Sequence, residues 1–201
     1  DPALRKVFAN ECVRLLKEHD FDGIDIDWEY PTSSRIGGVE ADTKNFTLLL
    51  KDIRTAIDTY GKSIHKSMLL TAAMGAAEKH FEDIEWDQVS KLLDYINLMS
   101  YATNGIWSEF SGHNSPLFGD DTTDCIANSV KRLTTHYQVP IHKINLGIAF
   151  YGSTLLFPKG KAALGSKDHL HCKDTSGYFS VTKGNPSYYD VLEQMDDFDE
   201  Y

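Results

Sequence analysis

Three carboxylates at alternate positions, Asp25, Asp27 and Glu29, are the side chains in this sequence best placed to do chemistry. They lie in the run Phe21-Asp22-Gly23-Ile24-Asp25-Ile26-Asp27-Trp28-Glu29-Tyr30-Pro31. Strand side chains alternate between faces, so the acids share one face while Ile24, Ile26 and Trp28 share the other. Carboxylates this close repel when all are ionised, and at least one is expected to hold a proton near neutral pH. A carboxyl kept protonated by desolvation and like-charged neighbours is a loaded general acid. Pro31 stops the strand and so places Glu29 at its C-terminal tip. A solvated acidic edge would explain the acids without function, but the apolar opposite face and the preceding helix argue against it. A Mg²⁺ site also suits clustered carboxylates, yet no further oxygen ligand is evident on the other strands.

These acids need a scaffold, and the hydrophobic periodicity supplies one. Leu4, Val7, Phe8, Cys12, Leu15 and Leu16 have the spacing of one helix face over 3–19. A strand over 21–28 and a loop with Pro31 and Gly37-Gly38 follow. Phe46, Leu49, Leu50, Ile53, Ile57 and Tyr60 predict a second helix, closed by Gly61 as its C-cap. Then come a strand over 68–74, a short helix over 86–93, a strand over 95–101 and a long loop over 105–119 holding Trp107, Phe110 and Pro116. Ile126, Val130, Leu133 and Tyr137 mark another helix, ended before Pro140, and 143–150 reads as a fourth strand. Past Gly152 the pattern fades, with strand-like pieces such as 178–181. Alternation of helices with apolar strands predicts a parallel sheet covered by helices, which an open doubly wound sheet and a TIM barrel both satisfy.

The chain of 201 residues, 41% hydrophobic and 25% charged, is ordinary for a globular domain with a small appendage. Its formal net charge of −10 makes phosphate backbones and anionic lipid poor partners, and a neutral substrate fits better. No apolar run approaches the ~18 residues of a membrane span. Cys12, Cys125 and Cys172 form no disulfide framework, and the first two read as buried small residues within helices. The chain begins with Asp1, so the lack of a signal peptide carries no weight. Gly61-Lys62-Ser63 lacks the first glycine of a P-loop, His169-Leu170-His171-Cys172 lacks a second ligand pair, and Asn45-Phe46-Thr47 is a sequon on a predicted helix.

The run from Asp22 to Glu29 resembles the DxxDxDxE signature of glycoside hydrolase family 18, the chitinases and their relatives. Met99-Ser100-Tyr101 is similar to the family's Met-x-Tyr-Asp motif, Gly105-Ile106-Trp107 to its Gly-x-Trp, Gly112-His113-Asn114-Ser115-Pro116-Leu117 to the loop that follows, and the stretch from Gly147 to Gly152 to its strand ending in Tyr-Gly. The resemblance implies an α/β fold, a TIM barrel of which this chain holds the fourth to seventh strands, with the site at the strand C-termini. It implies a partial catalytic domain over 1–152 and the start of a small α+β insertion over 153–201, near Ser187-Tyr188-Tyr189. Four strands leave two open sheet edges, so the chain alone is expected to aggregate, dimerise or be inactive.

The implied activity is chitinase hydrolysis of β-1,4-linked N-acetylglucosamine polymers, substrate-assisted and with retention. Glu29 protonates the glycosidic oxygen, Asp27 holds the acetamido N–H, Asp25 tunes Asp27, and Tyr101 positions the acetamido oxygen. Trp107, Tyr151 and Tyr30 are the candidate sugar platforms, and Met74 and Met99 end strands in the same tier. No metal or cofactor is expected, chitin or chitooligosaccharide is the expected partner, and secretion follows by resemblance. The rival is a non-catalytic chitin-binding lectin of the same fold, which typically lacks the glutamate; a related hydrolase of N-glycans or peptidoglycan shares the chemistry. Ala102 stands where the family motif has aspartate, and Ala149 where proline is common.

Overall fold

The computed structural model describes residues 1–105, 107–108, 111–153, 155–156, 174–175 and 184–193. The strand expected over 178–181 and the His169–Cys172 cluster lie outside them. Two compact units form, one from Asp1–Met99 with Phe118–Gly147, the other from Ser100–Leu117 with Ile148–Tyr201. The 1–152 and 153–201 division read from sequence differs from these units, because 100–117 and 148–152 gather with the C-terminal segment.

The first unit opens with helix α1, Pro2–His19. Asp1 caps it, its Oδ1 accepting from the Ala3 N–H at 2.7 Å, and Pro2 sits where no intrahelical N–H is needed. Only one edge of its predicted apolar face is covered: Ala9, Cys12 and Leu16 are buried, whereas Leu4, Val7, Phe8 and Leu15 are exposed. Helix α2, Asp42–Ser63, buries Phe46, Leu50, Ile53 and Ile57 at the three- and four-residue spacing of a single stripe. Gly61 does not cap this helix; it lies inside the last turn. The Lys66 carbonyl occupies the space of a Cβ there, and the Gly61 carbonyl accepts from Ile64 and Lys66 N–H. Close backbone approach, not a left-handed turn, is the reason for glycine.

Four parallel strands follow: β1 (Gly23–Ile26), β2 (Leu69–Gly75), β3 (Tyr95–Met99) and β4 (Ile144–Leu146). Each is shorter than its apolar run suggested, except β2. Helix α3, Trp86–Leu92, precedes β3. The helix predicted from Ile126 is regular only over α4, Ile126–Lys131, and continues as a π-helical turn, Arg132–His136.

Strand order in the sheet is β1-β2-β3-β4, the order of the chain. A doubly wound sheet reverses its order and carries helices on both faces. Here Ile26, Leu70, Ala72, Met74, Ile96 and Leu98 are buried in the core with the helices, while Asp25, Thr71, Asn97 and Asn145 occupy the other face. One-way winding over one covered face is the arrangement of a TIM barrel, and the sheet is part of one. In the second unit, β5 (Leu155–Leu156) pairs antiparallel with β6 (Asp174–Thr175), and α5 spans Tyr188–Glu193. No helix among the described residues is long and apolar enough to cross a membrane.

Candidate active site

Strand alternation distributes the acidic run as the sequence requires. Ile26 is 7% exposed in the core, and Trp28 meets Phe46 of α2 edge-on with centroids 6.0 Å apart. Asp25, Asp27 and Glu29 therefore take the opposite face. The ladder ends at Ile26, so Glu29 sits three residues past the last paired residue, on the loop rather than on the strand tip itself. The Glu29–Tyr30 peptide is cis.

Asp25 is held by neighbours on the next strands. Thr71 Oγ1 donates to Asp25 Oδ1, Asn97 Nδ2 donates to the same oxygen at 2.9 Å, and Asn145 Nδ2 donates to Asn97 Oδ1 at 3.0 Å. A hydrogen-bonded row thus crosses all four strands. Because Asn97 Oδ1 accepts from Asn145, its amide nitrogen must face Asp25, which fixes the amide orientation from the network. Thr71, Asn97 and Asn145 escaped the sequence reading, since single polar residues in apolar runs carry no signal until the register pairs them.

Glu29 is solvent-exposed on one side and hydrogen-bonded to Asp27. Burial is the largest influence on its carboxyl and pushes its pKa above the ordinary range; the hydrogen bond and negative charge of Asp27 push the same way, while a hydrogen bond with Tyr30 opposes them. The group is thereby biased toward its protonated form, as a general acid must be. Among the described residues, no three His, Cys, Asp or Glu side chains converge as a metal would need.

The other predicted site residues are divided between the units. Tyr30 is half-buried against His80. Met99 ends β3 on the face of Asn97. Met74 does not share that face: it alternates with Ala73 and is 6% exposed among core residues, so its expected place beside the substrate is corrected to core packing. The run over 68–74 is apolar at both parities save for Thr71, and only the register reveals which residues face inward.

In the second unit, Tyr101 meets Tyr151 edge-on with centroids 6.0 Å apart, and Tyr151 is half exposed. Trp107 is 64% exposed, and its ring folds back over Gly105, where an added Cβ would lie 2.5 Å from the indole. Glycine is what lets that ring lie flat on its own loop. Asn114 joins these parts: its Oδ1 accepts the Ala102 N–H at 3.0 Å, its carbonyl accepts the Thr103 N–H at 2.9 Å, and its Nδ2 donates to the Tyr151 carbonyl at 3.4 Å. Ala102 takes a left-handed conformation, with φ of 57°.

A family model for glycosyl hydrolases family 18 matches residues 1–194. Chitinase A1 of Niallia circulans is 34% identical, the match covering 94% of this chain and 28% of that protein. Chitinase B of Serratia marcescens is 32% identical over 78% of this chain and 29% of its own length. Among solved structures, the Ostrinia furnacalis Group IV chitinase in complex with allosamidin aligns with a TM-score of 0.84 at 27% identity, covering 98% of this chain and 53% of that one. The chain spans roughly a third of the length of the curated relatives it matches.

Proposed function

The chain belongs to glycosyl hydrolases family 18, and we propose that its acidic strand is the catalytic centre of a chitinase that hydrolyses β-1,4-linked N-acetylglucosamine polymers. The observation that carries the reading is Glu29: a carboxyl open to solvent, bonded to Asp27 and shifted toward its protonated form by partial desolvation and by Asp27. Relatives named chitinases support the substrate class. A chitin-binding lectin without activity would not need that acid.

Glu29 donates its proton to the glycosidic oxygen, and the C1–O bond breaks. The substrate's own 2-acetamido oxygen attacks the anomeric carbon, giving an oxazolinium ion that water opens with retention. Asp27 accepts the acetamido N–H and offsets the developing positive charge. Asp25, held by Thr71 and Asn97, sets the position of Asp27. Tyr101 orients the acetamido oxygen, while Trp107, Tyr151 and Tyr30 offer rings to sugar faces. Residues 153–201 begin the small α+β insertion of the family, and the protein acts outside the cell on chitin or its oligomers.

The test is proton NMR of the first-formed product from chitotetraose with the full-length protein. A β-anomer and competitive inhibition by a thiazoline analogue of the oxazolinium are expected. An inverted anomer refutes the mechanism.

A further inference from the structure

The segment after β2 grips the loop of the acid at two points. The His80 ring stacks on Tyr30 with centroids 3.8 Å apart and planes 25° from parallel. Three residues on, Asp83 Oδ2 accepts from Thr32 Oγ1 at 2.5 Å. Gly75, at the end of β2, makes room for the stack: a Cβ there would lie 2.7 Å from His80 Cδ2 and 2.8 Å from Tyr30 Cε1.

This segment is itself anchored to the α4 region. Ser129 Oγ donates to the Ala76 carbonyl at 2.7 Å, and the Glu78 N–H donates to Asp124 Oδ1 at 3.2 Å. Arg132 pairs with Glu78 at 3.1 Å and with Asp124 at 3.4 Å. The stack therefore rests on a braced support rather than on a loop held only by its ends.

Tyr30 follows Glu29 in the chain, and its side chain hydrogen-bonds the Glu29 carboxyl. An unrestrained tyrosine samples several staggered χ1 wells, only some of which make that bond. We propose that His80 is a positioning residue for the acid, its ring holding Tyr30 in the one orientation that hydrogen-bonds Glu29. The role rests on Glu29 being the acid of the reading above. Burial lowers the pKa of His80; Lys79 adds to this, and Asp124 and Asp83 oppose it, so the ring stacks uncharged near neutral pH. An uncharged aromatic contact is one that phenylalanine can supply and alanine cannot.

Four versions of the full-length protein test the assignment: wild type, His80→Phe, His80→Ala and Tyr30→Phe. Two readouts apply to each, kcat against pH on a fluorogenic chitotrioside and the Glu29 carboxyl titration by ¹³C NMR. The Tyr30 bond favours ionised Glu29, so its loss raises the carboxyl pKa and moves the alkaline limb of kcat to higher pH. His80→Ala and Tyr30→Phe are expected to show that shift, and His80→Ala a loss in kcat of about tenfold or more. His80→Phe is expected to titrate as wild type. An unmoved Glu29 titration in His80→Ala, or in Tyr30→Phe should His80→Ala not fold, overturns the proposal. So does a His80→Phe variant as impaired as His80→Ala. If the wild-type protein does not cleave the chitotrioside, the proposed function fails, and the carboxyl titration alone decides the role of His80.

Discussion

The side-chain amide of Asn97 on β3 reaches across β2 to donate to Asp25 on β1, at 2.9 Å. Neighbouring strands lie about 4.8 Å apart, so residues two strands removed meet only where their side chains converge, on the concave side of a curved sheet. The same curvature gathers Thr71 to the shared Asp25 oxygen. Replacing Asn97 by leucine leaves Asp25 one donor short and Asn145 without its acceptor. We expect kcat on chitooligosaccharides to fall about tenfold with KM little changed, since one charge-assisted hydrogen bond of roughly 1.5–3 kcal/mol is lost from a group that orients the reacting acids. A change in KM alone would place Asn97 in substrate binding instead.

Ala102 is a non-glycine residue in the left-handed region, which costs roughly 1–2 kcal/mol for a side chain with no polar group to compensate. Aspartate tolerates that backbone better and restores the carboxylate of the family motif. Asn104 does not stand in for it: its amide donates to the His113 carbonyl at 3.0 Å. Ala102→Asp in the full-length protein is expected to raise kcat by about tenfold, equivalent to ~1.4 kcal/mol, and to move the pH optimum. Unchanged kinetics would mean another group already fills the role.

Arg54 on α2 joins three places at once. Its guanidinium meets Asp94 at 2.8 Å, the Met68 carbonyl at 2.6 Å and Asp58 at 2.5 Å, while Asp94 also accepts the Leu70 N–H at 2.7 Å. The fork thus fixes the helix against the starts of β2 and β3. Arg54→Met is expected to cost about 2 kcal/mol in urea unfolding, a partly exposed version of breaking a buried pair. Arg54→Lys should recover little, because a point charge cannot reproduce the fork. Full recovery by lysine would show that charge alone matters.

The raised pKa of Glu29 also has a consequence for stability. A carboxyl whose folded pKa exceeds its unfolded value stabilises the fold below the unfolded value, about 4.3, and loses that contribution as pH rises through the folded one. Glutamine never ionises. Differential scanning fluorimetry should therefore show Glu29→Gln gaining melting temperature relative to wild type as pH rises from about 4 to about 8. A difference independent of pH would contradict the shift.

Much of this was legible in the sequence, for reasons that also explain what was not. The facing of Asp25 was legible because polar and apolar residues alternate along β1, and alternation is direct evidence of facing. Met74 was misplaced because Thr71 is the one polar residue of its run, too little to tell the two faces apart. Gly61 was misread because a glycine near a helix end signals a cap locally, whereas its reason is the Lys66 carbonyl, brought in by the chain's return to β2. The apolar width of α1 was read correctly as a pattern, but which half meets α2 is a property of packing. His80 had no sequence signal, and Asn114 stood out only as part of a loop that resembles the family's; a ring stack and a loop-bridging amide exist only after folding.

The central claim is that Glu29 is the proton donor, and Glu29→Gln tests it most directly. The variant keeps the shape of the side chain and removes the transferable proton. With the full-length protein, kcat on a fluorogenic chitotrioside is expected to fall by about a hundredfold to ten-thousandfold, while the dissociation constant for chitooligosaccharide, measured by calorimetry, stays within about threefold of wild type. Turnover by the glutamine variant at a rate near wild type would contradict the account.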